Sequence, residues 1–546
     1  MTDSYAQGAI APALLEETIG ANFERTVSRF GDREALVSCA QDLRYTYAEL
    51  DEAVNELARG LLAAGVAKGD RVGIWAPNCV EWTIVQYATA KLGAILVNIN
   101  PAYRTSELEY ALGQSGCRML IAAPAFKTSD YRAMVAEVAP RLDALERVVF
   151  LDGPDWTRLR AEGAGVHAAR LRARMDELVP EDPINIQYTS GTTGFPKGAT
   201  LTHRNILNNG YMVGEYCRYT EQDRVCIPVP FYHCFGMVMA NLGATTHGAA
   251  MVIPSPAFDP EATLRACASE RCTSLYGVPT MFIAQLDHPR FAEYDLSSLR
   301  TGIMAGSPCP VEVMKRVIGL MHMGEVGIAY GMTETSPVST QTTHDDPVEK
   351  RVGSVGRVHP HVEVKIIDPI EGTTVTRGDP GELCTRGYSV MAGYWNDPER
   401  TAEAVDPDGW MHTGDLATMD HDGYVNIVGR SKDMVIRGGE NLYPREIEEF
   451  LYGHPDIADV QVIGVPDERY GEELMAWVIP RGHATLDAEA LRAFCEGKIA
   501  HQKIPRYVKL VDAFPMTVTG KVQKFKMREQ AIEELGLEAS AKVQTA

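Results

Sequence analysis

From residue 45 the apolar positions of the chain change period in a regular order that reads helix, strand, helix, strand. Leu50, Val54, Leu57, Leu61 and Leu62 fall on one helical face. Thr46 and Glu49 stand at capping-box spacing ahead of that stripe and Gly65 follows it, so start, period and stop agree on one helix. VGIW (72–75) and RMLIAA (118–123) are short apolar runs of the kind that form strands buried on both faces of a parallel sheet. A second capping box, Ser106 to Glu109, is expected to open a helix between them. The alternation predicts an α/β fold built of layered subdomains.

Between about 350 and 430 the texture changes to short alternating runs such as VEVKII (362–367), punctuated by Gly378-Asp379-Pro380-Gly381 and Asp422-Gly423, which predicts hairpins and a small β-rich section. Beyond Arg430, 116 residues carry their own strand and helix signals, including a helix opening at Pro444 with acidic residues in its first turns. The expected division is a large N-terminal domain, 1–430, and a smaller α+β C-terminal domain, 431–546. No internal repeat, low-complexity tract or Gly/Ser linker marks the boundary.

A chain of 546 residues exceeds what one hydrophobic core serves, which agrees with two domains. With 45% hydrophobic and 23% charged residues it has the composition of a folded globular protein. Its net charge of -21 repels a polyphosphate backbone, so nucleic acid is not an expected partner. The start, MTDSYAQGAIAPALLEETIG, lacks the basic and apolar regions of a signal peptide. No apolar run approaches the roughly 18 residues of a spanning helix. A cytoplasmic protein without a transmembrane segment is expected. Eleven cysteines with no C-x-x-C spacing argue against a disulfide framework and a zinc site, and predict reduced, mostly buried thiols.

The chemistry concentrates in Tyr188-Thr189-Ser190-Gly191-Thr192-Thr193-Gly194-Phe195-Pro196-Lys197-Gly198, which follows a strand ending INIQ. Glycines admit phosphate oxygens close to backbone N–H groups, hydroxyls add donors, and a lysine adds positive charge. Pro196 before Lys197 and Gly198 after it break the Walker pattern, so a P-loop NTPase is not supported. By composition alone such a run is also an ordinary surface loop.

TSGTTGFPKG resembles the signature loop of the adenylate-forming superfamily, which includes acyl- and aryl-CoA synthetases, luciferases and the adenylation domains of peptide synthetases. The resemblance extends in order through FYHCFG (231–236), AGSP (305–308), YGMTE (330–334), HTGD (412–415), GRSKDMVIRGGENLYPREIE (429–448) and PMTVTGKVQK (515–524), nearly the whole chain. It implies an ATP site of Thr189, Ser190, Gly191, Thr192, Thr193, Gly194 and Lys197 on the phosphates. Thr333 is implied on the α-phosphate, and Glu334 as the ligand of Mg²⁺, a hard cation suited to oxygen donors. Tyr330, with Gly331 and Met332 beside it, is implied against one face of adenine, and Gly306, Ser307 and Pro308 against the other. Asp415 and Arg430 are implied on the ribose hydroxyls.

Lys521 is implied to reach from the C-terminal lobe to the carboxylate and α-phosphate during adenylation. Lys432 is the implied hinge of a mobile C-terminal domain, and Gly438, Gly439 and Glu440 lie on the implied tunnel for the pantetheine arm of CoA. His233 is implied beside the acyl site, although an aromatic-flanked histidine is equally a packed core residue. Phe235, Gly236, Met237, Val278, Met332 and Val338 are candidate acyl-pocket residues, apolar or small as a hydrocarbon tail requires.

The chain looks most like bacterial fatty-acyl-CoA synthetases and their medium-chain relatives. This implies an acid–thiol ligase that converts a carboxylic acid, ATP and CoA to acyl-CoA, AMP and pyrophosphate through an acyl-adenylate, with medium- to long-chain aliphatic acids as substrates. An aryl- or branched-acid CoA ligase, or an enzyme that loads a carrier protein, is the alternative. A catalytically silent nucleotide-binding regulator is disfavoured because Lys521, Glu334, Asp415 and Arg430 are all present. There is no G-x-S-x-G for a serine hydrolase and no H-E-x-x-H for a zinc protease. Oligomeric state is open, with a homodimer compatible with the sequence.

Overall fold

The structure, a computed structural model, describes all residues except 1, 190–195, 308, 431–432, 438–439, 468, 483–485, 497, 500, 518–520 and 538–546. The predicted first helix runs Tyr47–Ala63. The Glu49 carboxylate accepts the Thr46 N–H at 2.8 Å, and the Thr46 hydroxyl accepts the Glu49 N–H at 3.2 Å. Leu50, Val54, Leu57 and Leu61 are fully buried, each contributing about 2 kcal/mol of hydrophobic stabilisation. VGIW and RMLIAA form the strands Arg71–Trp75 and Met119–Ala122, paired parallel.

The helix between them differs from the sequence expectation. It spans Thr105–Ser115, and Glu107 rather than Glu109 reaches back, its carboxylate accepting the Arg104 N–H at 2.8 Å. Ser106 therefore lies inside the first turn and is not the cap. Two acidic residues sit at usable spacing from the chain entering the helix, and the direction of that entry selects Glu107.

Two large sheets form the first lobe. The seven-stranded sheet has the order Gly393–Tyr394, Lys197–Thr202, Pro183–Thr189, Ile95–Asn98, Arg71–Trp75, Met119–Ala122, Arg147–Phe150. The nine-stranded sheet has a parallel core running from Glu325–Gly331 through Thr301–Ala305, Ser274–Gly277, Arg224–Cys226 and Ala250–Ile253 to Glu34–Ser38. The predicted β-rich section is a five-stranded antiparallel sheet whose order is Tyr5–Gln7, Val362–Ile367, Gly381–Gly387, Met411–Met419, Val425–Arg430. The C-terminal lobe has its own sheet, centred on the long antiparallel pair Ile457–Asp467 and Gly471–Pro480, and its own apolar clusters. Its helix Pro444–Tyr452 begins where the sequence placed it. That helix meets the first lobe through Arg445, which donates to the Ile427 carbonyl at 3.0 Å, and Glu449, which accepts the Val311 N–H at 3.4 Å.

The helix Val80–Leu92 is buried on all sides and ends in a charged group, Lys91, whose side chain has no exposed surface. Lys91 donates to Asp51 at 2.6 Å, Asn55 at 2.7 Å and Glu24 at 3.1 Å. Removing one partner of a buried pair leaves the other charge uncompensated. Lys91→Ala is expected to destabilise the protein by about 3 kcal/mol, read as a lower urea midpoint. A change below about 0.5 kcal/mol would contradict the burial argument.

His203 and His359 are also fully buried, and burial pushes each down to about 3. Their folded values lie below the ordinary 6.5 of the unfolded chain, so the unfolded state takes up more protons as pH falls. The stability they contribute is complete above 6.5 and is lost progressively towards 3. Each is expected to remove about 2 kcal/mol between pH 7 and pH 5. Urea midpoints that stay level across that interval would count against it.

Candidate active site

The strand Glu325–Gly331 leaves the parallel core at its C-terminal end and turns at once through the short helical turn Thr333–Thr335. The turn is tight enough that a Cβ on Gly331 would lie 1.7 Å from the Pro337 carbonyl oxygen, so only glycine fits. Thr335 closes it, its hydroxyl donating to the Pro337 carbonyl at 2.7 Å. This buries Glu334 to 4% and Thr333 to 8% exposure. A buried carboxylate needs compensating donors. Glu334 Oε1 accepts the Tyr394 hydroxyl at 2.8 Å and the Thr189 hydroxyl at 3.2 Å. Burial, and then the neighbouring Glu334 charge, push the Tyr394 phenol well up, which keeps it a donor. Lys197 Nζ lies 4.4 Å from the centroid of the Tyr394 ring.

Thr189 and Lys197 face each other across the antiparallel pair Pro183–Thr189 and Lys197–Thr202, so they flank the glycine-rich loop. The strand runs two residues further than INIQ. The helix Thr105–Ser115 grips both flanks. Tyr188 donates from its hydroxyl to Gln114 at 2.6 Å, and Tyr110 donates to the Pro196 carbonyl at 3.0 Å. Ser190, Gly191, Thr192, Thr193 and Gly194 lie outside the described residues.

At the other end of the same turn, the Tyr330 hydroxyl donates to Asp415 Oδ2 at 2.7 Å. Asp415 faces Arg430 in the ladder between Met411–Met419 and Val425–Arg430. The Arg430 side chain is outside the described residues. HTGD is held by Glu382, which accepts the Gly414 N–H at 3.0 Å and bonds His412 Nδ1 at 3.1 Å. The Thr413 hydroxyl accepts the Asp415 N–H at 3.1 Å. Tyr330, Gly331, Met332, Gly306, Ser307 and Asp415 all keep part of their surface open.

Lys521 comes from the C-terminal lobe, next to the antiparallel bridge between Met516 and Val522. Thr517 N–H donates to the Lys521 carbonyl at 2.7 Å, and the Thr517 hydroxyl accepts the Lys521 N–H at 3.0 Å. Its Cε lies 4.0 Å from the position a Cβ on Gly306 would occupy, and Gly306 takes a φ of +89°, open to glycine and strained for other residues. Lys521 is also close enough to His233 for its charge to act there. Crowding by protein atoms, and then that charge, push His233 down to about 3. His233 is therefore neutral, and its Nδ1 accepts the Phe235 N–H at 3.1 Å. Beside it, the Cys234 sulfur lies 3.6 Å from His233 Nδ1 and 3.8 Å from the Thr333 hydroxyl. Gly306, Lys521, His233, Cys234, Thr333, Glu334, Thr189 and Lys197 thus form one connected series drawn from both lobes.

Phe235, Gly236 and Met237 begin a π-helix, Phe235–Leu242, a wide-turn geometry concentrated at functional sites. Gln86 donates to the Met237 carbonyl at 3.0 Å and supports it from the core. Phe235, Met237, Val278 and Val338 belong to the large apolar core of the first lobe, with Met332 packed against that core. Pro308, Lys432, Gly438 and Gly439 lie outside the described residues, as does the side chain of Glu440, whose backbone is in the strand Glu440–Leu442. Sequence reasoning missed Tyr394, Glu382 and Cys234. Cys234 sat unremarked within FYHCFG, whereas nothing local marks Tyr394 or Glu382.

The sequence pattern of AMP-binding enzymes matches residues 23–395, and that of the AMP-binding enzyme C-terminal domain matches 446–521. YngI of Bacillus subtilis (strain 168), an acyl-CoA synthetase by name, is 49% identical, with 96% of this chain and 99% of YngI covered. The mitochondrial medium-chain acyl-CoA ligase of Bos taurus is 45% identical, with 98% and 91% covered. Among solved structures, ATP-bound MatB from Rhodopseudomonas palustris superposes with a TM-score of 0.83 at 32% identity, covering 94% of this chain and 99% of MatB. ATP and CoA are the co-substrates of acyl-CoA ligases of this kind, and among the described residues no helix is long and apolar enough to cross a membrane. The chain belongs to the AMP-binding enzyme family, among its acyl-CoA synthetases.

Proposed function

We propose that this chain is an AMP-forming ligase that joins medium- to long-chain aliphatic acids to CoA at the expense of ATP. The observation that carries this reading is the approach of Lys521 to Gly306 and His233 while Thr333 and Glu334 lie one residue contact further along. A carboxylate is a poor electrophile, and adenylation gives it AMP as a leaving group. In the first half-reaction the acid attacks the α-phosphorus and pyrophosphate leaves. Lys521 and Thr333 stabilise charge at that phosphorus, and Thr189, Lys197 and the loop between them hold the outgoing phosphates. Tyr330, Gly331 and Met332 lie along one face of adenine, and Gly306, Ser307 and Pro308 along the other. Asp415 and Arg430 hold the ribose.

The residues present fit Mg²⁺. Glu334 is a hard oxygen donor, buried and oriented through Oε1, and its Oε2 is the proposed ligand. When bound, the ion neutralises charge on the polyphosphate. In the second half-reaction the C-terminal lobe turns about Lys432, withdraws Lys521 and brings Gly438, Gly439 and Glu440 to the thiol's approach. A TM-score of 0.83 to ATP-bound MatB against 0.75 to apo MatB supports an adenylating arrangement here. Aliphatic acids are favoured by the apolar character of Phe235, Met237, Val278, Met332 and Val338 and by the names of the relatives at 45% identity. Eleven cysteines without a disulfide among the described residues suit a reducing compartment such as the cytoplasm.

The test is pyrophosphate release from ATP with Mg²⁺ across straight-chain, branched and aromatic acids, with and without CoA. Release with straight-chain aliphatic acids of medium to long chain, and acyl-CoA formation when CoA is added, is the expected result. Preference for aromatic acids would move the aryl-ligase reading ahead, and no release with any acid would remove the enzymatic reading.

A further inference from the structure

The nine-stranded sheet carries a second cluster of chemistry-bearing side chains outside the segments assigned to nucleotide and acid. Cys226 ends the strand Arg224–Cys226, Cys267 lies in the helix Pro260–Ser269, and Cys272 follows that helix shortly before the strand Ser274–Gly277. Their sulfurs all lie within 4.8 Å of one another, and all three residues are buried. A single buried thiol behaves as a small hydrophobe. Three thiols that converge from a strand end, a helix and a connecting loop make a donor set of one chemical character.

A charged cluster lies beside them. Arg224 lies two residues before Cys226, on the same side of the strand. Its two terminal nitrogens donate to Glu34 and Glu270 at 2.5 and 2.6 Å, while its Nε is buried and finds no acceptor among the described residues. Its charge also acts on Cys272. The Cys272 S–H donates to the Ala266 carbonyl at 3.7 Å.

We propose that Cys226, Cys267 and Cys272 form a binding site for a thiophilic d¹⁰ cation of the zinc, cadmium and copper(I) class. Thiolate sulfur is the ligand such ions prefer. Zinc–thiolate bonds of about 2.3 Å place tetrahedral sulfurs about 3.8 Å apart, so separations of up to 4.8 Å close with shifts of about half an ångström per sulfur. Each ligating thiol releases its proton to solvent, so binding weakens as pH falls. Three thiolates around a dication leave one net negative charge. No C-x-x-C spacing announces the site, because its ligands come from separate elements.

The test uses the full-length protein, metal-free and kept reduced by a phosphine, titrated with Cd²⁺ in equilibrium dialysis. One equivalent per chain with an ultraviolet sulfur-to-cadmium charge-transfer band is expected. Cys267→Ser and Cys226→Ser are each expected to weaken binding at least about a hundredfold. Cys384→Ser is the essential control, because Glu382, Cys384 and His412 also group within 4.8 Å. Uptake that disappears in Cys384→Ser belongs to that group and overturns the proposal, as does the absence of uptake by wild type. Should the serine variants fail to fold, the cadmium-113 resonance of the wild-type protein decides. A shift in the sulfur-rich range sustains the site, and one in the oxygen or nitrogen range rejects it. None of these readouts depends on pyrophosphate release, so the site and the ligase activity stand or fall separately.

Discussion

Lys521→Ala is expected to lower the rate of acyl-adenylate formation by about 10²–10³-fold, equivalent to about 3–4 kcal/mol of transition-state stabilisation. The substitution removes an ammonium group and leaves the bonds between Thr517 and the Lys521 backbone available, so the lobe keeps its shape. What is lost is a positive charge at the place where negative charge accumulates as the acid attacks phosphorus. Thioester formation from supplied acyl-adenylate and CoA is expected to stay within about tenfold of wild type, because the lysine is proposed to be withdrawn in that step. Single-turnover pyrophosphate release and acyl-CoA formation, measured separately, give the two numbers. Equal losses in both halves would show that Lys521 supports the fold or the nucleotide in general and would remove the proposed division of labour.

Glu334→Gln should produce the second large effect, a fall of about 10²-fold in kcat/KM for ATP with a rightward shift in Mg²⁺ dependence. Glutamine keeps an oxygen able to accept the Tyr394 and Thr189 hydroxyls and removes the charge that a hard cation requires. Tyr394→Phe removes one hydrogen bond from Oε1 and leaves the carboxylate in place, so its loss should be nearer tenfold, about 1.4 kcal/mol. The order of the two variants in a Mg²⁺ titration is the check. A Glu334→Gln protein with an unchanged Mg²⁺ requirement would place the ion's ligands elsewhere.

Tyr394 also illustrates where sequence reading stops. Thr189, Lys197 and Glu334 stand in motifs whose composition announces chemistry. Tyr394 lies about 60 residues from Glu334 in a segment with no such signature, and reaches it because Gly393–Tyr394 is the edge strand beside Lys197–Thr202. Glu382 holds the HTGD turn through the same kind of cross-strand pairing. Ser106 shows the converse error, in which a correct local pattern names the wrong cap because a neighbouring acid is better aimed. The cysteines make the point again. Their spacing argued against a metal site, and the fold places three of the sulfurs together.

By itself the sequence determined the α/β alternation, the helix Tyr47–Ala63 with both its ends, the β-rich section, the start of the helix Pro444–Tyr452 and, through its ordered motifs, the family. These rest on information within one element or one loop, where periodicity, caps and residue type act over a few positions. Only the tertiary structure decided that Lys521 lies beside Gly306, that Tyr394 and Thr189 share one oxygen of Glu334, that Tyr330 bonds Asp415, and that Cys226, Cys267 and Cys272 converge. The reason is physical. Each of these juxtapositions depends on strand order and on how one lobe docks against another, and those are set by the summed burial of many residues far apart in the chain, which no local pattern records.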